Sequence, residues 1–375
     1  MAKRVKDIWR KAVTLDNIEA SILSAAKGKR HRRDVQSVLV DISGTAKRIL
    51  SEVERGDWRF PAERVAFAIE DGKRRKRREI VHPDFREQII QHLFVDFMLA
   101  PVFLPRFYRW SCGSIPGRGQ EGLGRYLLRK VKNAPGKTGW YCQLDVRKCF
   151  DTIDADAVYA AISRKIGDRR VLKMARKILD SNTISHADGS VTKRGVPIGL
   201  FSSPWFVNIA LSAIDRHIKD RCGIYLYGRY IDDLILMHPN RRELKRAIDG
   251  ASVILGGMGM EWKRPPQIRR WTKVRFTGFH LSRERLEVRD GVFARARRTG
   301  AYIRRKKAQK RRVTAFDAEK LVSYGGRFRA LGGYNAFVKQ VLCDRISMRS
   351  MRQKISARDR LRAKANIEKE SEEVA

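Results

Sequence analysis

RCGIYLYGRYIDDLILMHPN, residues 221–240, sets two adjacent carboxylates, Asp232 and Asp233, between two apolar runs of strand character. Tyr225, Leu226 and Tyr227 lead in, Gly228 and Arg229 interrupt, Tyr230 and Ile231 approach the acidic pair, and residues 234–237 lead out. β-Branched and aromatic residues on each side of a short polar break predict a hairpin with the aspartates at its tip. Aspartate suits a tip because its side chain hydrogen-bonds nearby backbone, so a plain surface hairpin is one reading. Charge supplies the other. Two carboxylates repel by about 4 kcal/mol at roughly 4 Å and an effective dielectric near 20, and if a third converges there, bound cations are the expected compensation.

A third carboxylate stands upstream. In WYCQLDVRKCFDTID, residues 140–154, alternation puts Tyr141, Gln143 and Asp145 on one face of a short strand and Cys142, Leu144 and Val146 on the other. Asp145 ends that strand, on a rigid element suited to holding a ligand. Asp154 heads a helix starting at Ala155 and reads as its N-cap, a structural role. GVPIGLFSSPWFVNIALSAIDRHIK, residues 195–219, begins as a Gly/Pro-rich loop and becomes a helix, with Ser203 as N-cap and Pro204 at its first position. Trp205, Phe206, Ile209, Ala213 and Ile214 form its core-facing stripe.

The chain has 375 residues, with 81 Lys plus Arg against 41 Asp plus Glu, a formal charge of +40. With 43% hydrophobic residues, this is a folded protein that lives against a polyanion, nucleic acid before an anionic membrane. No uninterrupted apolar run of 18 residues occurs, and the basic start MAKRVKDIWRK has no signal-peptide core behind it. The expectation is a cytoplasmic protein without a membrane partner. Five cysteines without a CxxC pair fit reduced thiols rather than a zinc site or disulfide framework.

Helical spacing predicts an α-helical extension over residues 5–26 and 35–53, separated by the basic patch 27–33. KRRKRREIVHPDFREQIIQ, residues 73–91, opens with cations and ends in an amphipathic helix. Lys76 and Arg78 sit on a strand edge before a Pro83 turn, where a point charge and a fork would grip a triphosphate. SCGSIPGRGQEGLGR, residues 111–125, is a glycine-rich loop that lets backbone approach a ligand; it has no Walker pattern.

Asp145 with Phe150, then Gly199 to Asn208, then Tyr230-Ile231-Asp232-Asp233, then Phe276-Thr277-Gly278-Phe279 form a series. Its order and spacing resemble the reverse transcriptase family, over about residues 73–290. The resemblance implies an α+β right-hand polymerase, with fingers and palm built of antiparallel sheet plus helices, and a helical thumb. The domains would be an N-terminal helical extension (1–72), fingers and palm (73–290), a basic helical thumb (291–365) and an acidic disordered tail (366–375). It implies two magnesium ions held by Asp145, Asp232, Asp233 and the Val146 carbonyl, in the two-metal chemistry of nucleotidyl transfer. Lys76, Arg78 and Lys263 would face the triphosphate, and Phe150 would lie under the sugar and exclude a 2′-hydroxyl. Pro197, Ile198 and Gly199 would touch the base pair, and Tyr230 the primer end. The implied partners are template RNA, primer or cDNA, and dNTPs.

After the FTGF segment a helical stripe at Phe316, Leu321, Phe328, Phe337, Val338 and Val341 carries the cations Arg304, Arg305, Lys306, Lys307, Lys310, Arg311 and Arg312, a face for template–primer backbone. One departure separates this chain from most of the family: Ile198 stands where glutamine is usual. An aliphatic residue there resembles the error-prone reverse transcriptases of diversity-generating retroelements, although those carry Ser-Gln where this chain has Ser203-Pro204. That likeness would add a small accessory protein. A retron-like or phage-defence enzyme, template-independent synthesis, and a catalytically silent nucleic-acid-binding protein are the alternatives.

Overall fold

The computed structural model describes the backbone of residues 4–58, 65–71, 76–181, 184–185, 191–192, 195–331 and 333–374, and the side chains of these except 65–79, 184–185, 191–192 and 362–374. The chain opens with helices α1 (Ile8–Ala12), α2 (Leu15–Ala25), α3 (Arg33–Val40) and α4 (Ile42–Arg55). Asp41 divides the stretch read as one helix over 35–53, because its carboxylate accepts the Gly44 N–H at 2.8 Å and caps α4. Ile18, Ile22, Val35, Ile49 and Val53 are buried in the same core as the palm helices, so the extension is built into the body of the protein.

Strands β1 (Val65–Asp71) and β2 (Lys76–His82) pair antiparallel from Val65↔His82 to Asp71↔Lys76. The expected boundary at 72/73 therefore falls inside a hairpin: Lys76, Arg77 and Arg78 of the basic run lie on one strand, and VAFAIED is the other. Asp84 caps α5 (Phe85–His92) by accepting the Glu87 N–H at 2.6 Å, and a π-helical stretch carries the chain into α6 (Ala100–Phe103). Residues Phe85–Arg106 are long and apolar enough to cross a membrane by composition, yet 67% of the window is buried inside the protein, as in a core helix.

The palm follows: β3 (Ser111–Cys112), α7 (Gln120–Asn133), β4 (Trp140–Asp145), α8 (Cys149–Thr152), α9 (Ala155–Ser163), α10 (Arg169–Asp180), short β5 (Ile184–Ser185) and β6 (Val191–Thr192), α11 (Ser203–Arg216), β7 (Leu226–Tyr230), β8 (Asp233–His238), α12 (Arg241–Gly256) and β9 (Arg269–Arg270). The sheet order is β3-β7-β8-β4-β9, with β3 parallel to β7 and the other pairs antiparallel. Alternation sends Cys142, Leu144, Leu234 and Leu236 into the core beneath α9, α11 and α12. Leu226, Ile235 and Met237 face the other way, onto Leu123, Leu127 and Val131 of α7. Both faces are thus covered, and function is left to the ends of the strands.

Strands β10 (Val274–Phe276), β11 (Phe279–Leu281) and β12 (Leu286–Val288) form a small antiparallel sheet whose Phe276 and Phe279 pack into the α7 side. Helices α13 (Asp290–Ala308), α14 (Ala315–Leu331), α15 (Tyr334–Phe337) and α16 (Met348–Val374) make a bundle with its own core. Leu321, Phe328, Phe337 and Val341 are buried there as the stripe predicts, whereas Phe316 is 60% exposed. Its ring instead supports the Lys320 ammonium, 4.1 Å from the centroid. Helix α16 carries the backbone of 366–374, where the reversed charge suggests a disordered tail; Ala, Glu and Lys are strong helix formers.

Candidate active site

Register brings the carboxylates together. Asp145 at the end of β4 is directly opposite Asp233 at the start of β8, and Asp232 lies in the two-residue turn between β7 and β8. The Val146 N–H donates to the Asp232 carbonyl at 3.2 Å, tying the tip to the β4 exit and leaving the Val146 carbonyl as a neighbouring oxygen.

The tip is strained. Ile231 has φ 53°, a left-handed conformation that a β-branched residue rarely adopts. Two hydrogen bonds hold it: its N–H donates to the Cys112 carbonyl at 2.9 Å, and its carbonyl accepts Arg229 Nη1 at 2.9 Å. The side chain of Ile231 presses on Gly113, where a Cβ would stand 2.5 Å from Ile231 Cγ1, and Gly113 itself has φ 95°. Gly113 of the SCGS stretch is therefore required for the hairpin to pack there.

Gly228 and Arg229 do not interrupt β7; they lie within it, and Arg229 is fully buried. Its guanidinium forks onto Asp215 of α11, Nε to Oδ1 at 2.8 Å and Nη2 to Oδ2 at 2.7 Å, and Nη1 also donates to Asn208 Oδ1 at 2.8 Å. Asp215 further accepts Ser111 Oγ at 2.6 Å and the Tyr227 hydroxyl at 2.5 Å. Burial alone would lower the Arg229 pKa, but Asp215 outweighs it and raises it. The signal for this network in the sequence is a lone arginine inside an apolar strand, since a buried charge requires a partner.

Electrostatics at the carboxylates are unbalanced. Asp233 is pushed up to about 7, first by burial, then by Asp232 and Asp145, with Lys263 opposing. Lys263 pairs with Asp145 through its ammonium, and its N–H donates to the Asp145 carbonyl at 2.8 Å. Among the described residues, no three His, Cys, Asp or Glu side chains already stand as a metal cage. The donors fit magnesium nevertheless: they are hard carboxylate oxygens, and Asp232 and Asp145 stand close enough to Asp233 to raise its pKa.

The loop beside them is pinned. Ser203 Oγ donates to the Pro197 carbonyl at 2.7 Å, and the Val81 N–H of β2 donates to the Ile198 carbonyl at 2.8 Å. Gly199 has φ 117°, and a Cβ there would stand 2.0 Å from the Val81 carbonyl oxygen. Helix α11 begins at Ser203, so Ser202 holds the N-cap position, one residue before the expected one; Gln91 Oε1 accepts both its N–H and Oγ. The Val196 N–H donates to the Phe150 carbonyl at 2.6 Å, which sets Phe150, partly buried, next to this loop. Tyr230 is half-buried at the end of β7. The side chains of Lys76 and Arg78 lie outside the described residues.

The thumb cations divide. Arg304 donates to the Val341 carbonyl, Lys306 pairs with Asp317 at 2.8 Å and Lys307 donates to the Arg345 carbonyl at 2.9 Å, so these brace the bundle. Arg305, Lys310, Arg311 and Arg312 are exposed.

The chain is 27% identical over 173 residues to the group II intron-encoded protein LtrA of Lactococcus lactis subsp. cremoris, which covers 46% of this chain and 28% of that protein. It is 26% identical over 171 residues to protein YkfC of Escherichia coli (strain K12), covering 45% and 43%. The chain thus spans less than half the length of these relatives. Apo telomerase from Candida tropicalis aligns at a TM-score of 0.45 and 14% identity, over 73% of this chain and 58% of that one. Residues 70–281 match the family model described as reverse transcriptase (RNA-dependent DNA polymerase); this is more than half of the 375 residues, it contains all three aspartates, and the chain belongs to the reverse transcriptase family.

Proposed function

We propose that the protein is an RNA-directed DNA polymerase that extends a primer with dNTPs on an RNA template. The observation that carries this reading is the register of Asp145 on Asp233 with Asp232 at the adjoining turn. Magnesium ions held by Asp145, Asp232, Asp233 and the Val146 carbonyl would supply an activated primer 3′-oxygen and a neutralised pyrophosphate leaving group. Lys263, which pairs with Asp145, would turn to the triphosphate of the incoming dNTP. Phe150 bounds the sugar site, the Pro197–Ile198–Gly199 loop backs the base pair against β2, and Tyr230 abuts the primer end. Extension of oligo-dT on poly-rA with magnesium tests this, and omitting the template separates template-independent synthesis. No incorporation under either condition would leave only a binding protein.

A finer reading rests on Ile198. Its backbone is fixed by Val81 while its aliphatic side chain has no polar group for the incoming pair, so pair geometry rests on packing alone. That supports a reading in which the enzyme copies with frequent errors, as the diversity-generating retroelement enzymes do.

A further inference from the structure

The catalytic aspartates occupy one end of the palm strands; the opposite end is built differently. Trp140 starts β4 and is opposite both His238, the last residue of β8, and Arg270 of β9. Tyr225 immediately precedes β7. Across the sheet order these positions form a row, Tyr225, His238, Trp140, Arg270, at about 4.8 Å per strand. The row stands about 17 Å from Asp145 along the six residues of β4.

Tyr225 and Trp140 in this row each carry two cations. The Lys130 and Lys137 ammonium groups lie 4.5 and 4.9 Å from the Tyr225 centroid. The Arg270 and Arg241 guanidinium groups lie 4.2 and 5.8 Å from the Trp140 centroid. Such contacts hold a cation in place without neutralising it. Lys137, Arg241 and Arg270 are exposed and Lys130 half-exposed, and among the described residues none of the four ends in an ion pair with a carboxylate. Like charges are thus held close by rings where acidic partners would have been easy to supply. The pairs around Tyr225 and Trp140 are separated by two strand spacings, about 10 Å, a span that crosses neighbouring phosphates of a folded strand or duplex.

We propose that this edge of the palm sheet is a second RNA-binding surface, which grips the phosphate backbone of a structured arm of the RNA being copied, away from the primer terminus. It rests on the polymerase reading for the identity of the RNA, but its chemistry is that of the row itself. It leaves the template–primer to the other end of the strands, so its loss and a loss of catalysis are separable.

The test is a variant carrying Lys130→Gln, Lys137→Gln, Arg241→Gln and Arg270→Gln, compared with one neutralising four exposed cations elsewhere, Arg10→Gln, Lys11→Gln, Lys47→Gln and Lys173→Gln. Affinity is measured across a salt series for an RNA with a hairpin arm beyond a primer-annealed 3′ segment, and for the annealed segment alone. The edge variant is expected to bind the hairpin-bearing RNA at least tenfold more weakly, with a log–log salt slope shallower by about 3, while oligo-dT extension on poly-rA stays at the wild-type rate. Equal losses in both quadruple variants, or an equal loss on the annealed segment alone, would overturn the proposal, reducing it to net charge. Unchanged RNA affinity with lost binding to phosphatidylserine vesicles would overturn it in favour of a membrane surface. A wild-type protein that binds the hairpin but extends nothing would sink the polymerase reading and leave this surface standing.

Discussion

Arg229→Met removes the cation at the centre of the buried network while keeping most of its volume. In the wild type Arg229 is fully buried and donates to both oxygens of Asp215, to Asn208 and to the Ile231 carbonyl. Methionine leaves Asp215 charged and buried with only Ser111 and Tyr227 to stabilise it. Removing one partner of a buried ion pair costs about 3–5 kcal/mol, which sets the expected drop in unfolding free energy. The change also frees the Ile231 carbonyl, so the left-handed residue next to Asp232 loses one of its two restraints. Urea unfolding followed by tryptophan fluorescence measures the first effect, and primer extension per folded molecule at saturating magnesium measures the second. The expected activity loss is at least tenfold at a temperature where the variant remains folded, with RNA affinity unchanged. Arg229→Lys keeps the charge and not the fork, and should recover stability more than activity. A stability change below about 1 kcal/mol, within the range of exposed pairs, would refute the reasoning.

Asp233 provides a pH test. Its folded-state pKa of about 7 lies above the ordinary 3.8, so the folded protein binds the extra proton and its metal-free stability falls as pH rises from about 4 to 7, then levels off. Asp233→Asn should therefore be more stable than wild type at pH 8 without metal, by at most about 4 kcal/mol, and magnesium should narrow the gap by stabilising only the wild type; a wild-type advantage in EDTA would contradict this. RNA affinity should fall steeply with salt as counterions are released, and a flat dependence between 50 and roughly 200 mM would deny the +40 charge a backbone role. Ile198→Gln should lower misincorporation by about fivefold to tenfold, the worth of one orienting hydrogen bond, chiefly opposite adenine. Sequencing products of both enzymes on one RNA template decides it, and equal error spectra would remove Ile198 from fidelity.

The palm was legible because alternation is a local signal. Period two in residues 140–146 sorts Cys142, Leu144 and Val146 into the core and leaves Asp145 on the other face, partly exposed at the end of the strand. Asp154 caps α9 by accepting the Asp156 N–H at 2.7 Å, again a decision made within a few residues. What escaped depends on partners distant in the chain. Arg229 resembles a turn residue until Asp215 of α11 is placed behind it, and of the β1–β2 hairpin the strand edge at Lys76 and Arg78 is readable while its partner Val65–Asp71 is not. Phe316 fits a helical stripe by spacing, but the bundle buries its neighbours on α14 and leaves Phe316 outside. The cation-bearing rings at the far edge of the palm were similarly beyond sequence reach, since Trp140, Arg241 and Arg270 meet only when β4, α12 and β9 assemble.

The most direct test of the central claim is primer extension on poly-rA by wild type and Asp232→Asn, with RNA binding measured on the same preparations. Synthesis by the wild type, its loss below detection in the variant and RNA affinity retained within a few-fold are predicted, because the substitution removes one carboxylate from the site and none of the basic surface. Synthesis by Asp232→Asn at near the wild-type rate would contradict the assignment of Asp145, Asp232 and Asp233 as the polymerase centre.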